Sequence, residues 1–170
     1  MRQLLFFLSI IILMSSCKMV FFEEPQPPGV SSIKTFPVDW QGKYRLNEDT
    51  VTIGDSYIIL PVLGKLTKFE LTSDTILLKQ FKEDIYVLNY FLLNDTMHYW
   101  ITLVMKKNGK KIYNYLIDYD EDTPKKLDKL GIKYEIREKD IIIKKITYEQ
   151  FEKLLDNKVF TVTSIFKKIE

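Results

Sequence analysis

The chain has 170 residues, 46% apolar and 28% charged, with 25 basic against 23 acidic side chains. That balance describes one globular domain and excludes a disordered chain, a collagen and a polytopic membrane protein. A formal net charge of +2 also argues against a nucleic-acid partner, because such binding draws on a large basic excess that displaces phosphate counterions.

Arg2 is followed by a largely apolar run from Leu4 to Met14 and then by the small residues Ser15 and Ser16. This is the layout of a secretory signal over residues 1–16. The run is too short for a membrane-spanning helix, which needs about 20 apolar residues to cross roughly 30 Å of hydrocarbon. Cys17 is the only cysteine, so a disulfide within one molecule is impossible and an exported protein is left with an odd thiol.

Met14-Ser15-Ser16-Cys17 resembles the lipobox of bacterial lipoproteins. One position departs from the commonest pattern: Met14 stands where leucine is usual, and Leu13 lies one residue earlier. The resemblance implies cleavage before Cys17, a diacylglycerol on its sulfur and, usually, a fatty acyl group such as palmitate on the new amino group. Each buried methylene contributes about 0.8 kcal/mol, so two or three chains anchor firmly where one is marginal. With Cys17 acylated, a cysteine nucleophile, Cys-ligated zinc and an iron–sulfur cluster are all unavailable to the mature chain. The expected location is the bacterial envelope, lipid-anchored at the outer membrane and facing the periplasm or the cell surface.

Residues 17–39 read as the lipidated cysteine and a tether. Lys18 to Asp39 holds four of the six prolines, Pro25, Pro27, Pro28 and Pro37, with no sustained apolar period. Extended at about 3.1 Å per residue, it would reach roughly 70 Å. Phe21 and Phe22 suit either the bilayer interface or docking onto the domain.

From Trp40 to the end, short runs rich in Val, Ile, Thr, Tyr and Phe alternate with Asn, Asp, Ser and Gly. This predicts one mainly β domain over 40–170, an antiparallel meander forming a barrel-like or sandwich sheet with two short helices. Strands are expected at 40–46, 50–53, 56–60, 65–71, 75–82, 85–93, 96–107, 110–118, 132–137, 140–146 and 159–167. Asn108-Gly109 suits the two central positions of a hairpin turn, which sets Met105 opposite Ile112. A similar turn at Asn94-Asp95 sets His98 opposite Phe91 and brings three strands into register.

Period-two alternation then separates two faces. Tyr86, Leu88, Tyr90, Leu92, Met97, Tyr99, Ile101, Leu103, Met105, Ile112 and Leu116 form the expected core. Ile85, Val87, Asn89, Phe91, His98, Trp100, Thr102, Val104, Tyr113, Tyr115, Ile117 and Tyr119 form the other face, which is either a covered second layer or a recognition surface. On the second alternative, Trp100, Tyr113, Tyr115, Tyr119 and His98 are the candidate binding residues.

A helix starts at Thr147, with Gln150 completing a capping box and Ile146 placed to staple against Phe151. A shorter one starts at Thr123-Pro124 and stops near Gly131.

Candidate chemistry is sparse. His98 is the only histidine and no G-x-S-x-G elbow accompanies it, so it reads as a structural or surface residue rather than a triad member. Asp118-x-Asp120-x-Asp122 imitates the first half of a calcium loop, but Thr123 and Lys129 stand where an EF-hand needs glycine and glutamate. Electrostatics at a helix start are the simpler role for these carboxylates, with a carboxylate pair of a hydrolase as the alternative. Lys106, Lys107, Lys110 and Lys111 gather four positive charges at one hairpin tip, either solvated or turned toward anionic lipid. No phosphate-binding or dinucleotide fingerprint is present, and no cofactor is implied.

Trp40-Gln41-Gly42-Lys43-Tyr44, Asp49 to Ile53, Ile85 to Asn89 and the strand holding Trp100 are together similar to small uncharacterised lipoproteins of Bacteroidota, a resemblance that implies an envelope location. Gly42-x-Tyr44 also resembles the Gly-x-Trp of lipocalins, with tyrosine for tryptophan. Three functions are therefore carried forward. The first is a non-catalytic, lipid-anchored domain that binds another envelope protein or a surface polymer. The others are a lipocalin-like carrier of an apolar small molecule, with a cavity lined by the Tyr86 to Met105 face, and a carboxylate-dependent hydrolase.

Overall fold

The computed structural model describes residues 18–62, 65–71, 74–93 and 98–169. The signal segment, Cys17 and the expected turn at Asn94-Asp95 lie outside the described residues. Strand accounts for 54% of the chain and helix for 13%, as a curled antiparallel half-barrel with two helices. The expected mainly β class therefore holds.

The strands are β1 (Val20–Phe22), β2 (Ser32–Ile33), β3 (Gly42–Leu46), β4 (Asp49–Ile53), β5 (Tyr57–Val62), β6 (Lys65–Glu70), β7 (Ile76–Lys82), β8 (Ile85–Leu93), β9 (His98–Asn108), β10 (Lys111–Ile117), β11 (Tyr134–Arg137), β12 (Asp140–Ile143) and β13 (Phe160–Lys168). The helices are α1 (Thr123–Lys129) and α2 (Tyr148–Asp156), and a 3-10 turn covers Val38–Trp40. Every expected strand is found, with ends moved by at most three residues.

Along the half-barrel the neighbours run β2-β7-β8-β9-β10-β13-β3-β4-β5-β6. β9 pairs with β8 along one edge, and two strands share its other edge. β10 takes the stretch from Val104 to Asn108, and β1 takes Trp100. β1 runs parallel to β12, which pairs with β11.

Two cores result, one on each face of β8 and β9. Trp40, Tyr44, Val51, Ile58, Leu78, Tyr86, Leu88, Met105, Ile112 and Phe166 fill the concave side. On the convex side Val87, Val104 and Phe160 pack with Val20 and Phe22 of β1, Ile141 and Ile143 of β12, Leu127 of α1, and Phe151 and Leu154 of α2. The second face of the predicted three-stranded unit is thus largely a covered layer.

Both hairpins differ from expectation by the same amount. Asn108 pairs with Lys111, so Gly109 and Lys110 form the loop and Met105 lies opposite Asn114. Gly109 takes φ +58°, a value glycine adopts without a Cβ clash, and Asn108 stays in the strand. In the preceding hairpin His98 lies opposite Leu93, and Phe91 opposite Trp100. A displacement of two residues preserves the faces where a displacement of one would invert them.

The segment expected as a tether is built into the domain. Val20, Phe21 and Phe22 are all buried in β1, so docking is the observed arrangement for these phenylalanines. Phe36 is also buried. Between them the chain is clasped by polar groups. Asn89 bonds the backbone of Gln26, and the Lys79 ammonium donates to the carbonyls of Pro25 and Pro27, each at 2.9 Å.

The helix signals act as expected. Thr147 Oγ1 accepts from the Gln150 N–H at 3.2 Å, and the Gln150 side chain accepts from the Thr147 N–H at 2.9 Å. Ile146 and Phe151 are buried in one core.

Candidate functional site

The part of the concave face around Trp40 is filled from within. Trp40, on the 3-10 turn, meets Tyr86 edge-on with ring centroids 4.8 Å apart. The Tyr44 hydroxyl donates to the Trp40 carbonyl at 2.6 Å. Burial, then the nearby Asp39 carboxylate, pushes the Tyr44 hydroxyl pKa up to about 12. Gly42 permits this arrangement with φ +136° at the start of β3, a region that L side chains disfavour. Lys107 pairs with the Asp39 carboxylate and donates to the Asp39 carbonyl at 2.8 Å. Lys168 donates to the Gln41 carbonyl at 2.8 Å. Lys107 is therefore committed to holding this plug, and the expected four-lysine tip is reduced to Lys106, Lys110 and Lys111. Side chains occupy this part of the face that a carrier would need open.

The five aromatic candidates are not brought together. Trp100 lies half-buried beside Phe91, centroids 4.8 Å apart. Tyr115 packs at the edge of the convex core. Tyr119 also packs there and has the Lys18 ammonium 4.7 Å above its ring. His98 is exposed and meets Phe91 edge-on at 6.3 Å. Tyr113 lies opposite Lys106 on one side and Ile165 on the other.

The acidic cluster is spent on the start of α1. Asp120 accepts from Thr123 Oγ1 at 2.8 Å, from the Asp122 N–H at 2.9 Å and from Lys126 at 2.9 Å. The Lys126 and Thr123 bonds hold its carboxyl down at about 2. Asp122 pairs with Lys125 at 2.9 Å, and Asp118 is exposed. Among the described residues no group of three or more histidine, cysteine, aspartate or glutamate side chains is placed to hold a metal ion.

What the fold does assemble is a basic strip on the convex face, beyond the cover of α2. β10, β13 and β3 set Lys111 opposite Lys167 and Lys167 opposite Arg45. Directly opposed residues share a face, and two residues along, Lys106, Tyr113 and Ile165 continue the same surface. Arg45, Asn47, Ile165 and Lys167 line a concavity of about 320 Å³. A second, of about 200 Å³, opens where the end of α2 leaves the sheet, lined by Ile85, Lys106, Tyr115, Asp156 and Lys158 among others. Sequence reasoning found Lys106, Lys111, Tyr113 and Tyr115 but missed Arg45, Asn47, Ile165 and Lys167. The period-two spacing of Lys43 and Arg45 was the one local signal. The strip offers cations, a phenol, an amide and a small apolar floor, a set suited to binding an anion.

The protein is thus defined as a curled β half-barrel with a plugged concave side and a basic, partly aromatic convex strip. No protein-family model, curated protein or solved structure matches the chain.

Proposed function

We propose that this chain is a lipid-anchored, non-catalytic binding domain of the bacterial cell envelope, held at the outer membrane through Cys17. Its convex strip engages another envelope component, a protein or a surface polymer. The observation that carries this reading is the strip itself, where Tyr113 and Ile165 stand among Lys106, Lys111, Lys167 and Arg45 outside the layer that covers the rest of the face. The filled concave side favours binding over carriage of an apolar ligand. The engagement of Asp120 with Lys126 and Thr123 favours it over carboxylate hydrolysis.

Two measurements in the native envelope test this. Labelled palmitate should enter the wild-type chain and fail to enter Cys17→Ala. A photo-crosslinking residue at Tyr113 should capture an envelope component that the same residue at exposed Lys129 does not. Label retained by Cys17→Ala removes the anchor, and identical products from the two crosslinking positions remove the strip.

A further inference from the structure

Like charges directly opposite one another on neighbouring strands repel. The protein nevertheless lines up Lys111, Lys167 and Arg45 across three strands, which lie about 4.8 Å apart. Several other lysines are neutralised: Lys82 by Glu152, Lys107 by Asp39, Lys126 by Asp120, and Lys144 by Glu135 and Glu23. Among the described residues, none of the three cations in the row has an ion-pair partner, and neither do Glu48 and Asp49 at the β3–β4 turn. Among the described residues no ion pair compensates the repulsion.

Resting on the reading of this strip as the binding surface, we propose that it takes an acidic polysaccharide, a linear chain of sugar rings bearing carboxylates. The row spans about 10 Å, two strand spacings, so a partner must bring several negative charges spread along its length. Arg45 offers a carboxylate two parallel N–H donors. The Tyr113 ring and Ile165, beside the row, suit the apolar C–H face of a sugar, and Asn47 supplies an amide for hydroxyl groups.

A bilayer is the competing occupant, and the geometry disfavours it. The described residues begin at Lys18, whose ammonium lies over the Tyr119 ring just past the far end of β10. Lys111 starts that strand, about 20 Å away along its axis. Because Val20–Phe22 is paired with β12, little slack remains between Cys17 and the domain. A membrane that holds Cys17 lies at the Tyr119 end, with the row about 20 Å further along β10.

The experiment measures binding of the full chain to polygalacturonate, neutral dextran and polyphosphate in non-ionic detergent, and its uptake by detergent-free phosphatidylcholine vesicles with and without phosphatidylglycerol. Polygalacturonate should bind saturably and more weakly as salt rises, with dextran unbound, polyphosphate weaker, and the two kinds of vesicle taking up the chain equally through its acyl chains. Lys167→Glu should bind polygalacturonate at least about tenfold more weakly. It replaces two repulsions by two attractions, so its thermal midpoint should not fall, which separates lost binding from lost folding. Absent polygalacturonate binding, indifference to Lys167→Glu, equal or tighter binding of polyphosphate, or vesicle uptake that rises with phosphatidylglycerol overturns the proposal. A crosslinked adduct at Tyr113 persists if only the polysaccharide assignment is wrong and disappears if the strip is not the binding surface.

Discussion

The side-chain amide of Asn89 is matched to the backbone of Gln26, 63 residues earlier: it accepts from the Gln26 N–H at 2.7 Å and donates to the Gln26 carbonyl at 2.6 Å. Thr102 Oγ1 adds a third bond, donating to Asn89 Oδ1 at 3.0 Å. All three residues are buried, and a buried polar group left without a partner costs about 1 to 3 kcal/mol. Asn89→Ala should therefore lower stability by roughly 3 kcal/mol in urea unfolding. It should also expose residues 23–30 to protease before the sheet is cut. Unchanged proteolysis of that segment would show that the clasp does not hold it.

Lys79 closes the same clasp, and its alkaline behaviour has a definite sign. Burial holds its ammonium below the ordinary value of 10.5, only partly offset by Glu24. Between the folded and unfolded values the unfolded chain binds more protons, so this group makes stability rise with pH until about 10.5. Lys79→Met keeps most of the apolar stem and removes that slope. The gap between wild-type and variant stabilities should widen in favour of wild type as pH climbs toward 10.5, and parallel curves would refute the assignment.

Tyr44 acts in the opposite direction. Its hydroxyl pKa, raised from 10.0 to about 12, means that the folded state holds its proton after the unfolded state has released it. The associated stability is present below pH 10 and is lost as pH rises toward 12, on the order of 2 kcal/mol in all. Tyr44→Phe should cost about 1 kcal/mol at neutral pH through the missing bond to the Trp40 carbonyl, and should lack the alkaline loss. Absorbance titration should show one phenol ionising near 12 in wild type and not in the variant.

Thr147→Ala removes one half of the α2 cap and should cost about 1 kcal/mol, with Thr147→Ser close to wild type. Gln150→Ala removes the other half together with its bond to the Gly131 carbonyl at 3.2 Å. Its loss should match or exceed that of Thr147→Ala in thermal unfolding.

The strands were legible because period two survives an error of two. Pairing Met105 with Ile112 instead of Asn114 left every side chain on its correct face. β1 was not legible, since Val20, Phe21 and Phe22 are buried in succession between β12 and β9 and show no alternation. β2, only two residues long, offers no period at all. The basic strip depends on which distant strands become neighbours. Arg45, Lys111 and Lys167 carry no mutual signal until β10, β13 and β3 lie side by side. The fate of the aromatic face turned on α2, whose existence was clear from its cap but whose docking site was not.

β9 is one wall of two rooms: Met105 faces the concave core and Val104, its neighbour in the chain, faces the convex one. Neither core can melt without stripping the strand that bounds the other. Calorimetry on the folded body should record a single cooperative transition, and damage on one side should be felt on both.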